Sequence, residues 1–264
     1  MILAGVLGYP VGHSRSPIMM SAAFRELGLD WRYVRLPVAP GLFAETVRAL
    51  PASGYVGANV TIPHKLAARA LADELTPAAE AIGAANTLSF ADGRIRADNT
   101  DAAGLIAALD EPVAGRSALV LGAGGAGRAA VWALREAGAD VSVWNRTHAR
   151  AAALAAELGV SHAELPGPTD LLVNATSVGL VPDSDEDEAL AALQLTGVAP
   201  PATVVDLVYG DAPTPLGRWA SRGHGRVVGG LEVLVRQGAL SLELWTGREA
   251  PVDAMRHAVS PAGL

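Results

Sequence analysis

The chain has 264 residues, a formal net charge of −7 and 18% charged residues, a balance of the wrong sign for a general nucleic-acid binder. Half of the residues are hydrophobic, yet the apolar runs stop well short of the roughly 20 residues that a membrane-spanning helix needs. Cysteine is absent, which excludes disulfides, thiolate nucleophiles and Cys-ligated zinc.

The opening run Met1 to Tyr9 reads as a first strand rather than a secretory leader, because neither a basic flank nor a cleavage-like site precedes it. Strands are expected near 2–8, 31–36, 55–60 and 85–90, with helices near 16–28, 40–50 and 63–73. A second cycle begins at Ser117 with a strand and a glycine-rich turn, then helix 125–137, strand 140–144, helix 147–157 and strand 170–174. A stretch rich in Pro, Asp and Glu, read as exposed loop with room for one short helix, leads to a strand at 203–207. Residues 230–245 read as helical, with Leu231, Leu234, Val235, Gly238, Leu242 and Trp245 on one face; Gly247 stops that helix and Pro251 opens a final one. Strands alternating with helices indicate an α/β protein with a mainly parallel sheet.

Lys65 is the single lysine, against nineteen arginines. Most surface cations need only a charge, which arginine supplies; a site that must give up a proton from a compact amine cannot use guanidinium. Lys65 closes the stretch Asn59-Val-Thr-Ile-Pro-His-Lys65, where a strand ends and Pro63 is expected to open a helix. A cation is disfavoured at a helix start, so its placement points to chemistry at the edge of a sheet.

The run from Ala118 to Gly127 carries Gly122-x-Gly124-x-x-Gly127 between an apolar strand and a helix. Small residues let a pyrophosphate approach the backbone, and the helix start offers free N–H groups. The following strand ends in Asn145-Arg-Thr-His-Ala-Arg150, with no acidic residue to bond a ribose 2′-hydroxyl. Arg146 and Arg150, one turn apart, suit a 2′-phosphate, so NADP is expected over NAD. Before this loop lie three polar clusters, Ser14 with Ser16, Asn86 with Thr87, and Asn99-Thr-Asp101. Singly they are turn or capping chemistry; together they suit a small polyhydroxylated acid. The acidic run from Asp183 to Glu188 lacks the glycine and glutamate of a calcium loop and reads as solvated surface. The histidines form no pair at metal-ligand spacing, His64 is read as structural, and no metal is expected.

In order along the chain, Ser14-Arg-Ser16-Pro17, Asn59 to Lys65, Gly83-Ala-Ala-Asn86-Thr87 and Asp98-Asn-Thr-Asp101 resemble the motifs of the shikimate dehydrogenase family. So do Gly122 to Gly127, Asn145-Arg-Thr147, Asn174-Ala-Thr-Ser177, Asp206-Leu-Val-Tyr209 with Thr214-Pro-Leu216, and Gly230 to Gln237. The resemblance implies a two-domain fold in which a Rossmann-type NADP domain, 102–229, is inserted into an α/β substrate domain made of 1–101 and the helices of 230–264. It implies reversible NADP-dependent reduction of 3-dehydroshikimate to shikimate, with Lys65 and Asp101 as the catalytic pair. Ser14, Ser16, Thr61, Asn86, Tyr209 and Gln237 would join that pair in holding the substrate. Gly122, Ala123, Gly124, Gly125, Ala126, Asn145, Arg146, Thr147, Arg150, Leu207 and Gly230 would contact NADP. A quinate/shikimate dehydrogenase preferring NAD is the competing activity, and Ser16 and Arg146 lean against it. An NADP-binding sensor without chemistry is the non-enzyme alternative, opposed by the presence of both Lys65 and Asp101. Departures from the family pattern are Met20, Ala102 and Arg236. The implied partners are small molecules, without nucleic acid or membrane, in a cytoplasmic monomer or homodimer.

Overall fold

A computed structural model describes residues 1–181 and 184–260. In chain order its main elements begin with β1 (Ile2–Gly8), α1 (Ser16–Glu26), β2 (Trp31–Pro37), α2 (Phe43–Ala49), β3 (Tyr55–Val60) and α3 (Lys65–Leu71). Next come β4 (Glu74–Leu75), α4 (Pro77–Ile82), β5 (Thr87–Ala91), β6 (Arg94–Asp98) and α5 (Thr100–Leu109). The run β7 (Ser117–Leu121), α6 (Gly125–Glu136), β8 (Asp140–Trp144), α7 (His148–Leu158), β9 (Ser161–His162) and β10 (Leu171–Asn174) follows. The chain continues through α8 (Glu186–Ala192), β11 (Thr203–Asp206), α9 (Pro215–Arg222), β12 (Arg226–Gly229), α10 (Gly230–Thr246) and α11 (Val252–Val259).

The chain divides into two units, one of Met1–Gly104 with Leu234–Leu264 and one of Leu105–Val233. Helices α5 and α10 each begin in one unit and finish in the other. The first unit holds a six-stranded sheet in the order β2-β1-β3-β5-β6-β4. Strands β2, β1 and β3 run parallel, while β5 is antiparallel to both β3 and β6. The sequence reading missed β6. Its signal is the Asp92-Gly93 pair, both in the left-handed region at φ 51° and 72°, the geometry of a two-residue hairpin turn. Because β5 is antiparallel, its first residue lies beside the ends of its neighbours: Thr87 pairs with Asn59 and with Asp98. One edge of the sheet therefore collects the exits of β1, β3 and β6 and the entry of β5.

Two further boundaries differ from expectation. Pro63 precedes α3 rather than opening it: the Ile62–Pro63 peptide is cis and the helix starts at Lys65. The segment 40–50 starts as a short 3-10 turn at Pro40–Leu42 before α2.

Leu7, Phe43, Val47, Val60, Ile95 and Leu88 fill the core of the first unit, each burial contributing about 1.5–3 kcal/mol relative to exposure. Along α10, Gln237, Ser241 and Trp245 recur every four residues and so share a face. Trp245 donates from Nε1 to the Leu88 carbonyl at 3.0 Å, lying so close that a Cβ on Gly57 would come within 2.2 Å of that nitrogen. Higher up, a Cβ on Gly104 would stand 2.7 Å from the Cβ of Gln237.

The second unit holds a sheet in the order β12-β11-β10-β7-β8-β9, every pairing parallel. Successive strands step one way from β7 and the other way from β10, so the direction of winding switches between these neighbours. Buried Leu119, Leu121, Trp144, Leu172, Val204 and Trp219 belong to its core. The acidic run is part loop and part first turn of α8, where Asp185 caps the helix by accepting from Glu188 N at 2.9 Å; Asp183 lies outside the described residues. Among the described residues no helix is long and apolar enough to cross a membrane.

Candidate active site

At the collecting edge of the first unit, Lys65 is the first residue of α3 and Asp101 lies in the first turn of α5. Lys65 Nζ donates to Asp101 Oδ2 at 2.6 Å, and both side chains are mostly buried, at 14% and 18% exposure. Asn86, just ahead of β5, donates from Nδ2 to the other carboxylate oxygen at 2.9 Å. The orientation of that amide is set by the backbone: Thr100 N–H can only donate, and it meets Asn86 Oδ1 at 2.8 Å. The Asn86 NH2 group is thereby turned towards Asp101 Oδ1, Thr100 Oγ1 at 2.9 Å and Gln237 Oε1 at 3.0 Å. Three acceptors thus compete for two hydrogens, and a ligand that takes over one of them would relieve the competition.

Beneath Asn86 lies a buried polar layer whose members Asn59 and Ser241 had no role in the sequence reading, while Thr87 and Thr100, read there within clusters suited to a small acid, are buried in it. Asn59 accepts from Tyr33 Oη at 2.7 Å and donates to Ser241 Oγ at 2.9 Å, to Thr87 Oγ1 at 3.1 Å and to the Asn86 carbonyl at 3.3 Å. Ser241 also meets Thr87 at 2.8 Å and Thr100 at 3.1 Å. Buried polar groups of this kind are costly unless bonded; here the bonds fix the backbone that carries Asn86. A polar residue inside an apolar strand (Asn59), and a serine on the apolar stripe of α10 (Ser241), were the available signals.

Of the other expected substrate residues, Ser14 and Ser16 are buried and adjacent, their hydroxyls 3.2 Å apart. The loop that carries them is clamped by Arg35, which donates through Nε at 3.1 Å and a terminal nitrogen at 2.7 Å to the Ser14 carbonyl. Thr61 follows β3 with its N–H on the Leu7 carbonyl at 2.8 Å. Gln237 reaches the group through Asn86, although 151 positions separate the two. Tyr209 belongs to the second unit, where it is half-buried beyond β11. His64 is structural: its Nε2 lies 2.7 Å from the Val38 carbonyl and its ring stacks on Phe43 at 4.5 Å. Met20 and Ala102 are buried packing residues.

In the second unit Gly122, at φ 108°, takes the left-handed turn after β7. A Cβ on Gly127 would fall 1.9 Å from the Gly122 carbonyl oxygen, so only glycine lets α6 start so close to the strand end. A Cβ on Gly124 would meet nothing within 4 Å, which leaves the mouth of the turn open. Gly125 and Ala126 are the first residues of α6, so their N–H groups have no carbonyl of the preceding turn to bond. Asn145 accepts from Ala123 N at 3.2 Å and donates to the Thr147 carbonyl at 3.1 Å, joining the glycine turn to the end of β8. Arg146, Thr147 and Arg150 are exposed. Leu207 and Gly230 meet: a Cβ on Gly230 would lie 2.6 Å from the Leu207 carbonyl oxygen. The donor set suits a 2′-phosphorylated dinucleotide, with open backbone N–H groups for a pyrophosphate and two solvated guanidiniums at the next strand end.

Three family models cover most of the chain. Residues 6–88 match the shikimate dehydrogenase substrate binding domain, 106–177 match shikimate / quinate 5-dehydrogenase, and 230–259 match the shikimate 5'-dehydrogenase C-terminal domain. The chain is similar to the shikimate dehydrogenase (NADP(+)) of Methanothermobacter thermautotrophicus, with 42% identity over 97% of this chain and 95% of that protein. It is 47% identical to the protein of the same name from Methylobacterium radiotolerans, over 92% of this chain and 91% of that one. Among solved structures it is similar to shikimate 5-dehydrogenase from Thermus thermophilus in complex with NADP(H) and shikimate, with a TM-score of 0.88, 41% identity and 98% of both chains covered.

Proposed function

The chain belongs to the shikimate dehydrogenase family, and from that membership we propose that it catalyses the reversible NADP-dependent reduction of 3-dehydroshikimate to shikimate. The observation that carries this reading is the Lys65–Asp101 pair at 2.6 Å, with the second carboxylate oxygen held by Asn86.

The first unit is assigned to the substrate. Ser14 and Ser16 hold the carboxylate through their hydroxyls, while Thr61, Asn86 and Gln237 meet the ring hydroxyls; Tyr209 of the second unit is assigned to the substrate by its place in the family motif. The second unit is assigned to NADP, held by the glycine loop from Gly122 to Ala126, by Asn145, Arg146, Thr147 and Arg150, and by Leu207 and Gly230. When bound, NADPH supplies the hydride that reduces the ring carbonyl.

Lys65 acts at the carbonyl oxygen. Its ammonium offers three donors, of which one is committed to Asp101. The others are available to stabilise negative charge as it develops on that oxygen and then to deliver a proton to it. Asp101 keeps the amine in place, and Asn86 keeps Asp101 from turning. In the opposite direction the neutral amine receives the proton from the shikimate hydroxyl. The same proposal has the enzyme acting in the cytoplasm on small molecules alone, as a monomer or homodimer.

The test is the change in reduced-nicotinamide absorbance with shikimate or quinate, each offered with NADP or NAD. The proposal expects shikimate with NADP to be fastest. Turnover of quinate with NAD at a comparable rate would replace it by the quinate reading, and binding of NADP without turnover of either acid would replace it by the sensor reading.

A further inference from the structure

Asp206, the last residue of β11, is a carboxylate almost sealed from solvent, at 2% exposure. Its charge is met by three uncharged donors: Asn174 Nδ2 at 2.8 Å and Val208 N at 3.1 Å on Oδ1, and Thr214 Oγ1 at 2.6 Å on Oδ2. Burial pushes this carboxyl above its ordinary range, against the pull of those donors. A buried charge kept at such cost calls for a reason that an uncharged isostere would not serve. Both oxygens of a carboxylate accept, whereas only one end of an amide does. Asp206 can therefore hold Asn174 and Thr214 at the same time.

Each bond orders a different segment. Asn174 ends β10, directly beside Asp206 on one side and Leu121 on the other. With its NH2 committed to Asp206, its Oδ1 must face the next turn, where it accepts from Thr176 N at 3.1 Å and Thr176 Oγ1 at 2.7 Å. That turn packs on the glycine loop: a Cβ on Gly122 would lie 3.0 Å from the Ala175 carbonyl oxygen and 3.2 Å from Thr176 Cγ2. On the other side, Asp206 and Thr214 bracket the segment that carries Leu207, Val208 and Tyr209, and Thr214 also caps α9 by accepting from Gly217 N at 3.0 Å. All of this sits at the C-terminal ends of β7, β10 and β11, where the winding of the sheet switches direction and a dinucleotide straddles the crevice. Asn145 to Arg150, at the end of β8, takes the adenosine end, so the opposite end falls over β10 and β11.

We propose that Asp206 is a positioning residue for the nicotinamide half of the cofactor site, acting through Asn174 on the Ala175–Thr176 turn and through Thr214 on the segment after β11. The proposal rests on the NADP reading above. Its test compares two ligands on the full-length protein by calorimetric titration: NADP, and adenosine 2′,5′-bisphosphate, which carries only the adenosine end. Asp206→Asn keeps one acceptor for Asn174 and Val208 but turns its NH2 to Thr214, whose hydroxyl must then accept and loses its short bond to a charged oxygen. NADP should weaken by about tenfold, the effect of one lost charge-assisted bond. Adenosine bisphosphate should bind within about twofold of wild type, because its partners lie elsewhere. If Asp206→Asn does not fold, Thr214→Val removes the bond to Asp206 together with the cap on Gly217 N and leaves the charge, and the same contrast between ligands is expected. Unchanged NADP binding, or equal weakening of both ligands, would overturn the proposal. Wild-type protein that binds neither ligand would overturn the NADP reading along with it.

Discussion

Replacement of Lys65 separates its chemical role from its structural one, because the two effects differ in size. Lys65→Ala removes a charge-assisted bond of 2.6 Å between side chains 14% and 18% exposed. A pair so placed is partly screened, and Asp101 keeps its bond from Asn86 at 2.9 Å, so the stability loss should stay near 1–2 kcal/mol. Removal of a positioned acid costs roughly 10²–10⁴ in rate, or about 3–5.5 kcal/mol of barrier. The expected result is a kcat lower by that factor, with a modest change in shikimate KM and a melting temperature only a few degrees lower. Steady-state kinetics read against thermal unfolding of the same samples supply both numbers. Lys65→Arg sharpens the contrast. It keeps the charge and the donors, but guanidinium does not deprotonate in proteins and its planar head is larger than the ammonium it replaces. This variant should be nearly as slow as alanine. An arginine variant retaining more than about a tenth of wild-type kcat would refute proton transfer by this residue and leave only a need for positive charge.

Three other outcomes are expected. Arg146→Ala should weaken NADP by about ten- to a hundredfold and leave NAD nearly unchanged, as measured by cofactor titration; equal losses would show that the guanidinium does not meet the 2′-phosphate. Gly57→Ala should lower stability by about 1–3 kcal/mol, because the new Cβ would fall 2.2 Å from Trp245 Nε1 and 2.6 Å from the Leu88 carbonyl oxygen; an unchanged denaturation midpoint would mean that α10 shifts freely. Glu111 gives a pH dependence: burial pushes its carboxyl up, but hydrogen bonds from Arg116 and Thr203 and the charges of Arg116 and Arg226 outweigh that and hold it below its ordinary value of 4.5. A depressed carboxyl stabilises the fold above its unfolded value and loses that contribution as pH falls through its folded one. Glu111→Gln should therefore lose less stability than wild type on going from about pH 6 to about pH 3.5 in urea melts, and parallel losses would assign the acid sensitivity to other groups.

The parallel strands β1, β2, β3, β7, β8, β10 and β11 and the helix of the glycine loop were legible because each carries its own local pattern, with β8 at 140–144 and α6 at 125–136 falling where the apolar period puts them. The short parallel strands β4, β9 and β12 were not read. The β5–β6 hairpin was not read, since its strands are short and its Asp92-Gly93 turn sits among mixed residues. Lys65 announced itself by rarity, and Asp101 by its motif. The polar layer of Asn59, Thr87 and Ser241 was harder to see, because hydrogen bonds between residues 28 to 182 positions apart leave no periodic trace. The same holds for Asp206, whose partners come from two other elements. Resemblance to a family supplied motifs that contain Asn59, Thr87 and Asp206, though not Ser241, and did not say what these residues do.

The first unit is written in two pieces of chain, and this orders events during synthesis. Asn86 finds Gln237 across 151 positions, and Arg15 holds the Val259 carbonyl across 244. When Gly104 leaves the ribosome the sheet of the first unit is complete, yet the helix that carries Gln237 and Ser241 has not been made. Translation at ordinary rates leaves the nascent half waiting roughly ten seconds, with the seat of α10 open over Gly57 and Leu88. The intervening unit, Leu105–Val233, is continuous in sequence and is free to fold during that interval. A nascent chain that has emerged only as far as Val233 would thus carry a complete second unit before Gln237 can reach Asn86, and chaperone demand should fall on the apolar seat of the last long helix.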